Sequence, residues 1–292
     1  MAAEEAGPEL EAHILPTIGD VAAEDWDACV TGGHPFTRHA FLSALEDSGS
    51  ATADTGWLGQ HVVLKDPAGA VLGAVPMYLK NHSHGEYVFD HGWADAFERA
   101  GGRYYPKMQV SVPFTPATGP RLLLRPDAAA SAQQRDALSG ALLSACIQRC
   151  DQVDASSLHI TFPDQAQAEL MQDAGLLLRS GMQFHWQDDG YGDFDGFLDS
   201  LASRKRKQIR RERREALVDA GLTVLALSGD EIEERHWDAF FHFYQETGSR
   251  KWGSPYLNRA FFELLHERMA DRVALVMCER AGRWIAGALN LI

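Results

Sequence analysis

Two stretches of this chain share one layout: an apolar run, a short polar turn, and a second apolar run with a glycine inside it. They are VVLKDPAGAVLGAVPMYL (62–79) and ALVMCERAGRWIAGALNLI (274–292). Each reads as an antiparallel hairpin, because β-rich runs on either side of an Asp-Pro-Ala-Gly or Ala-Gly turn fold back on one another. Helical patterns surround both, so the layout implies a mixed α/β fold present in two copies. The second copy stops inside an apolar strand, which leads us to expect that it is incomplete; an uncovered strand end would leave a sticky edge.

The rest of the sequence fits around those hairpins. Residues 1–12 read as a disordered lead and 14–18 as a first short strand. A short helix is expected over 24–30 and another within 34–50, with Thr37 as its N-cap. The segment 87–101 starts extended and turns helical. Strands follow at 107–112 and 156–162, separated by a Pro/Thr-rich loop (113–121) and an amphipathic helix over 133–150. A helix over 164–174 closes at Gly175, and a last strand is expected over 176–187. The linker DDGYGD (188–193) then ends a first domain, 13–190. The second, 194–292, opens with one long helix running to Ala220. It continues with a strand (222–227), helices over 231–247 and 256–270, and the hairpin.

Composition excludes several classes. Of 292 residues, 45% are hydrophobic and 23% charged, enough to bury more than one core and unlike a disordered chain. The formal charge of −14 disfavours the chain as a whole as a polyanion or membrane-surface binder. No run of about 18 apolar residues occurs and the N-terminus has no apolar core, so a cytoplasmic protein is expected. The four cysteines (Cys29, Cys146, Cys150, Cys278) form no CxxC pair and read as buried thiols in a reducing compartment.

Four stretches carry a family likeness: HPFTRHAFLSALEDSGS (34–50), the long run from Tyr87 to Leu123, LASRKRKQIRRERREA (201–216) and KWGSPYLNRAFFELL (251–265). Over nearly the whole chain they resemble the FemAB-like family of predicted N-acyltransferases, also labelled peptidoglycan biosynthesis proteins. The resemblance implies tandem GNAT-like domains. It also implies N-acyl or aminoacyl transfer from aminoacyl-tRNA or acyl-CoA to an amine, with a peptidoglycan precursor as a candidate acceptor. Neither donor is a bound cofactor; each is a co-substrate. A non-catalytic protein of the same fold that binds an anionic cell-wall precursor or RNA is the alternative.

Such transfer needs substrates positioned, a proton removed from the amine and an oxyanion stabilised, but no covalent nucleophile. No nucleophile motif is present. Asp90 is a candidate base and Tyr105 a candidate proton donor to the leaving group. Asp90 could equally cap the helix that follows it. His91, Trp93 and Lys107 are candidate substrate contacts beside them. Arg121, in the rigid loop, could meet a phosphate. Eight cations fall in 204–214, and Arg204, Lys205, Arg206, Lys207, Arg210, Arg211 and Arg214 are candidate phosphate contacts. The plainer reading is a solvated helix paired with acidic neighbours. Trp252 and Tyr256 complete the candidates for substrate binding, and no metal is expected.

Overall fold

The computed structural model describes residues 10–250 and 254–292. In chain order the elements are β1 (Glu11–Leu15), α1 (Ala23–Asp27), α2 (His39–Asp47), β2 (Leu58–Gly59), β3 (His61–Lys65), β4 (Val71–Val75), β5 (Met77–Lys80), α3 (His91–Arg99), β6 (Lys107–Val110), β7 (Leu123–Leu124), α4 (Ala132–Gln152), β8 (Leu158–Ile160), α5 (Gln165–Asp173), α6 (Phe194–Ser200), α7 (Ser203–Arg214), β9 (Thr223–Ser228), α8 (Glu234–Ser249), α9 (Arg259–Met269), β10 (Val273–Arg280) and β11 (Arg283–Leu291). They form a mixed α/β structure of two compact units. One holds Met1–Leu176 with Ser254–Ala270, the other Leu177–Gly253 with Asp271–Ile292.

The first unit contains two four-stranded sheets, ordered β1-β3-β4-β7 and β2-β5-β6-β8. All neighbours are antiparallel except β6 and β8, which run parallel. The expected hairpin forms as β3 and β4, turned by Asp66, whose Oδ1 accepts from the backbone of Ala68 and Ala70. Its second arm is not one strand. Pro76 offers no N–H to a ladder, and at that point the chain passes from β4 in one sheet to β5 in the other. This places Lys80 beside β6.

Helix α4 covers the sheets. A reciprocal cap between Ser131 and Gln134 starts it, and its apolar face buries Leu138, Leu142, Leu143, Cys146 and Cys150. These pack with Val62, Leu64, Val75, Met77, Met108 and Val110. Gly73 of β4 lies where an added Cβ would come within 2.9 Å of Leu142 and 3.1 Å of the Leu123 carbonyl, so the strand must be bare there. Helix α9 belongs to this unit. It packs along α2, and Arg268 donates to Ser43 and Asp47.

In the second unit β10 and β11 form the other expected hairpin, turned at Ala281 and Gly282, both left-handed. With β9 they make a three-stranded antiparallel sheet.

Four expectations need correction. The lead read over 1–12 overlaps β1, which begins at Glu11 and pairs with β3; residues 1–9 lie outside the described residues. Thr37 is not a cap. It is buried before α2, where its carbonyl accepts from the Trp26 indole, and Arg38 occupies the cap position. The strand expected over 176–187 is absent. Leu177 and Phe184 stay 99% and 93% exposed, since an apolar run becomes a strand only where an edge takes up its hydrogen bonds. The long helix expected over 194–220 is divided. Leu201 turns extended between α6 and α7, and α7 runs on into a wider π-type turn at Glu215–Asp219.

Leu142 is fully buried at the centre of the α4 face. Leu142→Ala is expected to lower unfolding stability by about 2–5 kcal/mol, read as a drop in urea midpoint without a change in slope.

Candidate functional site

A strand pair creates the site. Lys80 of β5 and Lys107 of β6 are directly opposed Cα partners, and both side chains are fully buried. Two like charges facing each other across a ladder are unfavourable, so the surroundings must compensate. The loop between β5 and α3 supplies the acids. Gly85 has φ +80° and Tyr87 φ +56°, and these left-handed turns accompany a segment in which Glu86 and Asp90 are buried while Tyr87 and Phe89 are exposed. A side chain at Gly85 would also strike the Phe114 ring at 2.5 Å. A left-handed tyrosine is costly backbone of the kind that gathers at functional sites.

The Lys107 ammonium donates all three of its hydrogens inward. It reaches Asp90 Oδ2 at 2.7 Å, Glu86 Oε2 at 2.8 Å and Ser83 Oγ at 2.8 Å. The Tyr104 hydroxyl donates to the same Asp90 oxygen at 2.8 Å, and the Tyr105 hydroxyl meets Ser83 Oγ at 2.8 Å. The other oxygens of the two acids, Glu86 Oε1 and Asp90 Oδ1, are buried and without a hydrogen-bond partner. Across the ladder Lys80 Nζ donates to the His84 carbonyl at 3.2 Å and sits 3.4 Å from the centre of the Trp57 ring.

Electrostatics follow from this packing. Burial pushes the Asp90 carboxyl up, but the hydrogen bonds from Lys107 and Tyr104, with the Lys107 charge, outweigh it and hold the pKa at about 2. Burial raises Glu86, against the pull of Lys107. Tyr104 is pushed above its ordinary value by burial and by its bond to Asp90. His159, opposite Gln109 on β8, is lowered to about 4 by burial and then by Lys107, so it is neutral.

Asp90, Tyr105 and Lys107, picked out from the sequence, therefore converge. Asp90 occupies the N-cap position of α3, yet its carboxylate makes no capping bond and turns to Lys107 instead. His91 and Trp93 follow on the exposed first turn of α3. Tyr256 stacks on Phe114 with ring centres 4.9 Å apart and meets Tyr87 edge-on. Sequence reading overlooked Lys80, Ser83 and Glu86. The available signal was a lysine at one end of each of two apolar strands, which a half-exposed strand would not need to bury.

Arg121 is a correction. It is fully buried and its guanidinium spends four of its five N–H donors on the carbonyls of Ala117, Gly119, Pro120 and Thr161, so it pins the loop and is sealed from any phosphate in solvent. A cavity of about 610 Å³ near it is lined by His34, Leu122, Leu124, Arg135, Asp164 and Gln167. Its amide and acid are already engaged: Gln167 with the backbone of Arg121 and Leu122, and Asp164 as the cap of α5. The lysine–carboxylate cluster is the candidate site instead.

In the second unit the basic run divides by helix face. Arg206 pairs with Asp199 at 3.1 Å and also donates to the Leu201 carbonyl; Arg210 reaches Asp195 at 3.5 Å. Arg213 lies 4.3 Å over the Phe194 ring. These three tie α6 to α7, and for Arg206 and Arg210 the pairs favour the plainer reading of a helix paired with acidic neighbours. Arg204, Lys207, Arg211 and Arg214 follow at spacings that put them on one other face. Arg211 has a 3.6 Å pairing with Glu215, while Arg204, Lys205, Lys207 and Arg214 make no ion pair among the described residues. Trp252 lies outside the described residues.

His82, His84 and His91 lie close together, with ring centres 4.7 and 6.1 Å apart in sequence. Among the described residues no three His, Cys, Asp or Glu side chains are placed to share a metal ion. Again among the described residues, no helix is long and apolar enough to cross a membrane.

Lys107→Met would leave two buried carboxylates without their cation and is expected to cost about 3–5 kcal/mol of stability. Because the Asp90 pKa is depressed, its share of stability is complete above its unfolded value near pH 4 and is lost as pH falls through about 2. Asp90→Asn should flatten that acid limb in denaturant titrations between pH 2 and 5.

A family model described as FemAB-like, peptidoglycan biosynthesis/recognition, matches residues 17–292. A search of curated proteins finds no match.

Proposed function

This chain belongs to the FemAB-like family, which is tied to peptidoglycan biosynthesis and recognition, and from that premise we propose that it is an N-acyltransferase with tandem GNAT-like domains. It carries an acyl or aminoacyl group from a phosphate-bearing donor to an amine of a cell-wall precursor. The observation that carries the reading is the pair of buried, unpartnered oxygens, Glu86 Oε1 and Asp90 Oδ1. A buried acceptor without a donor is costly, and an incoming ammonium supplies donors of the right charge. Asp90, held ionised near pKa 2, is too weak a base for this work and serves as the anchor for that ammonium.

The amine nitrogen attacks the donor carbonyl carbon, a C–N bond forms, and the C–O or C–S bond to the carrier breaks. Tyr105 suits the role of proton donor to the departing oxygen or sulfur. Burial raises its pKa, so it stays protonated at neutral pH. In the second unit, Arg204, Lys207, Arg211 and Arg214 form a cationic stripe of the kind that attracts phosphates. Either aminoacyl-tRNA or acyl-CoA satisfies that stripe.

A second reading keeps the site but not the turnover: a recognition protein that holds the same amine. The low basicity of Asp90 favours it.

Alanyl-tRNA or acetyl-CoA is expected to raise the melting temperature of the chain, as a ligand of the folded state must. Changing Arg204, Lys207 and Arg214 to Ala should weaken that donor at least tenfold, with steep salt dependence if it is the tRNA. Asp90→Asn should lower kcat/KM for the amine by about 10–100-fold. Donor binding with no amide formed would favour recognition; no stabilisation by either donor would end both the donor assignment and the transfer reading.

A further inference from the structure

The two lysines of the site are not equivalent, and their difference assigns a role the acids cannot fill. Lys80 and Lys107 face each other across β5 and β6 with both side chains sealed from water. Lys107 spends its three hydrogens on two carboxylates and a hydroxyl, a setting that suits only an ammonium. Lys80 has one carbonyl and the face of Trp57. It needs a single N–H to satisfy those contacts, and a neutral amine provides it. Holding both as cations would set two buried like charges across one ladder position, so the proton that leaves most easily is the one on Lys80.

We propose that Lys80 rests as a neutral amine and is the proton acceptor of this site, acting through Glu86. The argument rests on the acyl-transfer reading above. An acceptor ammonium bound at the free oxygens of Glu86 and Asp90 passes one proton to Glu86, which relays it to Lys80 Nζ. The freed lone pair attacks the donor carbonyl. The nitrogen's second proton replaces the one Tyr105 gives to the leaving oxygen or sulfur, so the products are amide, protonated carrier and a Lys80 ammonium that later loses its proton to solvent. Lys80 is thus a positioning residue for the proton, and Glu86 is the group that meets the amine.

The charges around Lys80 are consistent with this. Burial lowers its pKa to about 7, Glu86 partly offsets the drop, and Lys107 deepens it. The titratable groups around the cluster are Glu86 and Asp90 on the loop, His82 and His84 just after β5, Lys107 on β6, His159 on β8, and Tyr104 and Tyr105 before β6. Burial keeps His82 below its ordinary value, and His159 is neutral, so neither competes as a cation. Glu86 is raised by burial, as a relay that must accept and release a proton requires.

The chain has six lysines, which makes the test direct. With 13C-lysine in the whole chain, one Cε resonance is expected to titrate near pH 7 and to vanish in Lys80→Met. Because the folded-state pKa lies below the unfolded value, the unfolded chain binds more protons between them. Wild-type stability should therefore rise from pH 7 towards pH 10, and the rise should be lost in Lys80→Met. In turnover of acetyl-CoA or alanyl-tRNA with a precursor peptide bearing a free amine, kcat should fall at least a hundredfold in both Lys80→Met and Lys80→Arg. Arginine keeps the cation but does not give up its proton. A Lys80 resonance that stays charged above pH 9, or a Lys80→Arg variant with wild-type kcat, overturns the proposal alone. A Lys80 that titrates near pH 7 in a chain that forms no amide from either donor overturns the transfer reading, and the acceptor role with it.

Discussion

One buried ammonium organises the first unit's chemistry. Lys107 sits in a sheet with no water around it, and such a charge is tolerable only when it is both paired and fully hydrogen-bonded. Glu86, Asp90 and Ser83 meet that demand from a single loop. The demand explains why the loop turns through left-handed residues at Gly85 and Tyr87, and why the Asp90 side chain leaves the helix it precedes. Each acid gives Lys107 one oxygen and keeps the other. The unpaired oxygens are what make this ion cluster a candidate site rather than a closed structural one.

The sheets make this possible through an interruption. Had 70–80 been one continuous strand, Lys80 would have extended the β3–β4 hairpin. Pro76 removes the ladder hydrogen bond at the crossing point, and the chain continues in the other sheet, against β6. Helix α4 then seals the assembly, with Leu142 packed so close to Gly73 that no side chain fits there. Fold and site thus share strands: the ladder that builds the core also sets the two lysines against each other.

Local pattern carried much of this into the sequence. Both hairpins and the α4 stripe from Leu138 to Cys150 follow from turn residues and periodicity, and residue chemistry alone singled out Asp90, Tyr105 and Lys107, which the fold brings together. The failures share a cause. The run 176–187 has strand composition but finds no partner edge. The stretch 194–220 has helix composition throughout, yet Leu201 breaks it where Arg206 ties the end of α6 to α7. Arg121 looked available because it stands in a rigid Pro/Gly-containing loop; its partners are backbone carbonyls, which no side-chain pattern announces.

The basic helix shows where sequence ends and tertiary structure begins. Eight cations in eleven residues guarantee a strongly positive helix whatever surrounds it, because charge is a property of composition. Which of them remain for a ligand depends on where Asp195, Asp199 and Phe194 fall, and these take Arg206, Arg210 and Arg213. The lysine pair follows the same rule. The sequence by itself determined that one lysine closes an apolar strand and the other opens one. Only the pairing of β5 with β6 decided that they oppose each other, because register is set by long-range hydrogen bonds and burial, not by neighbours along the chain.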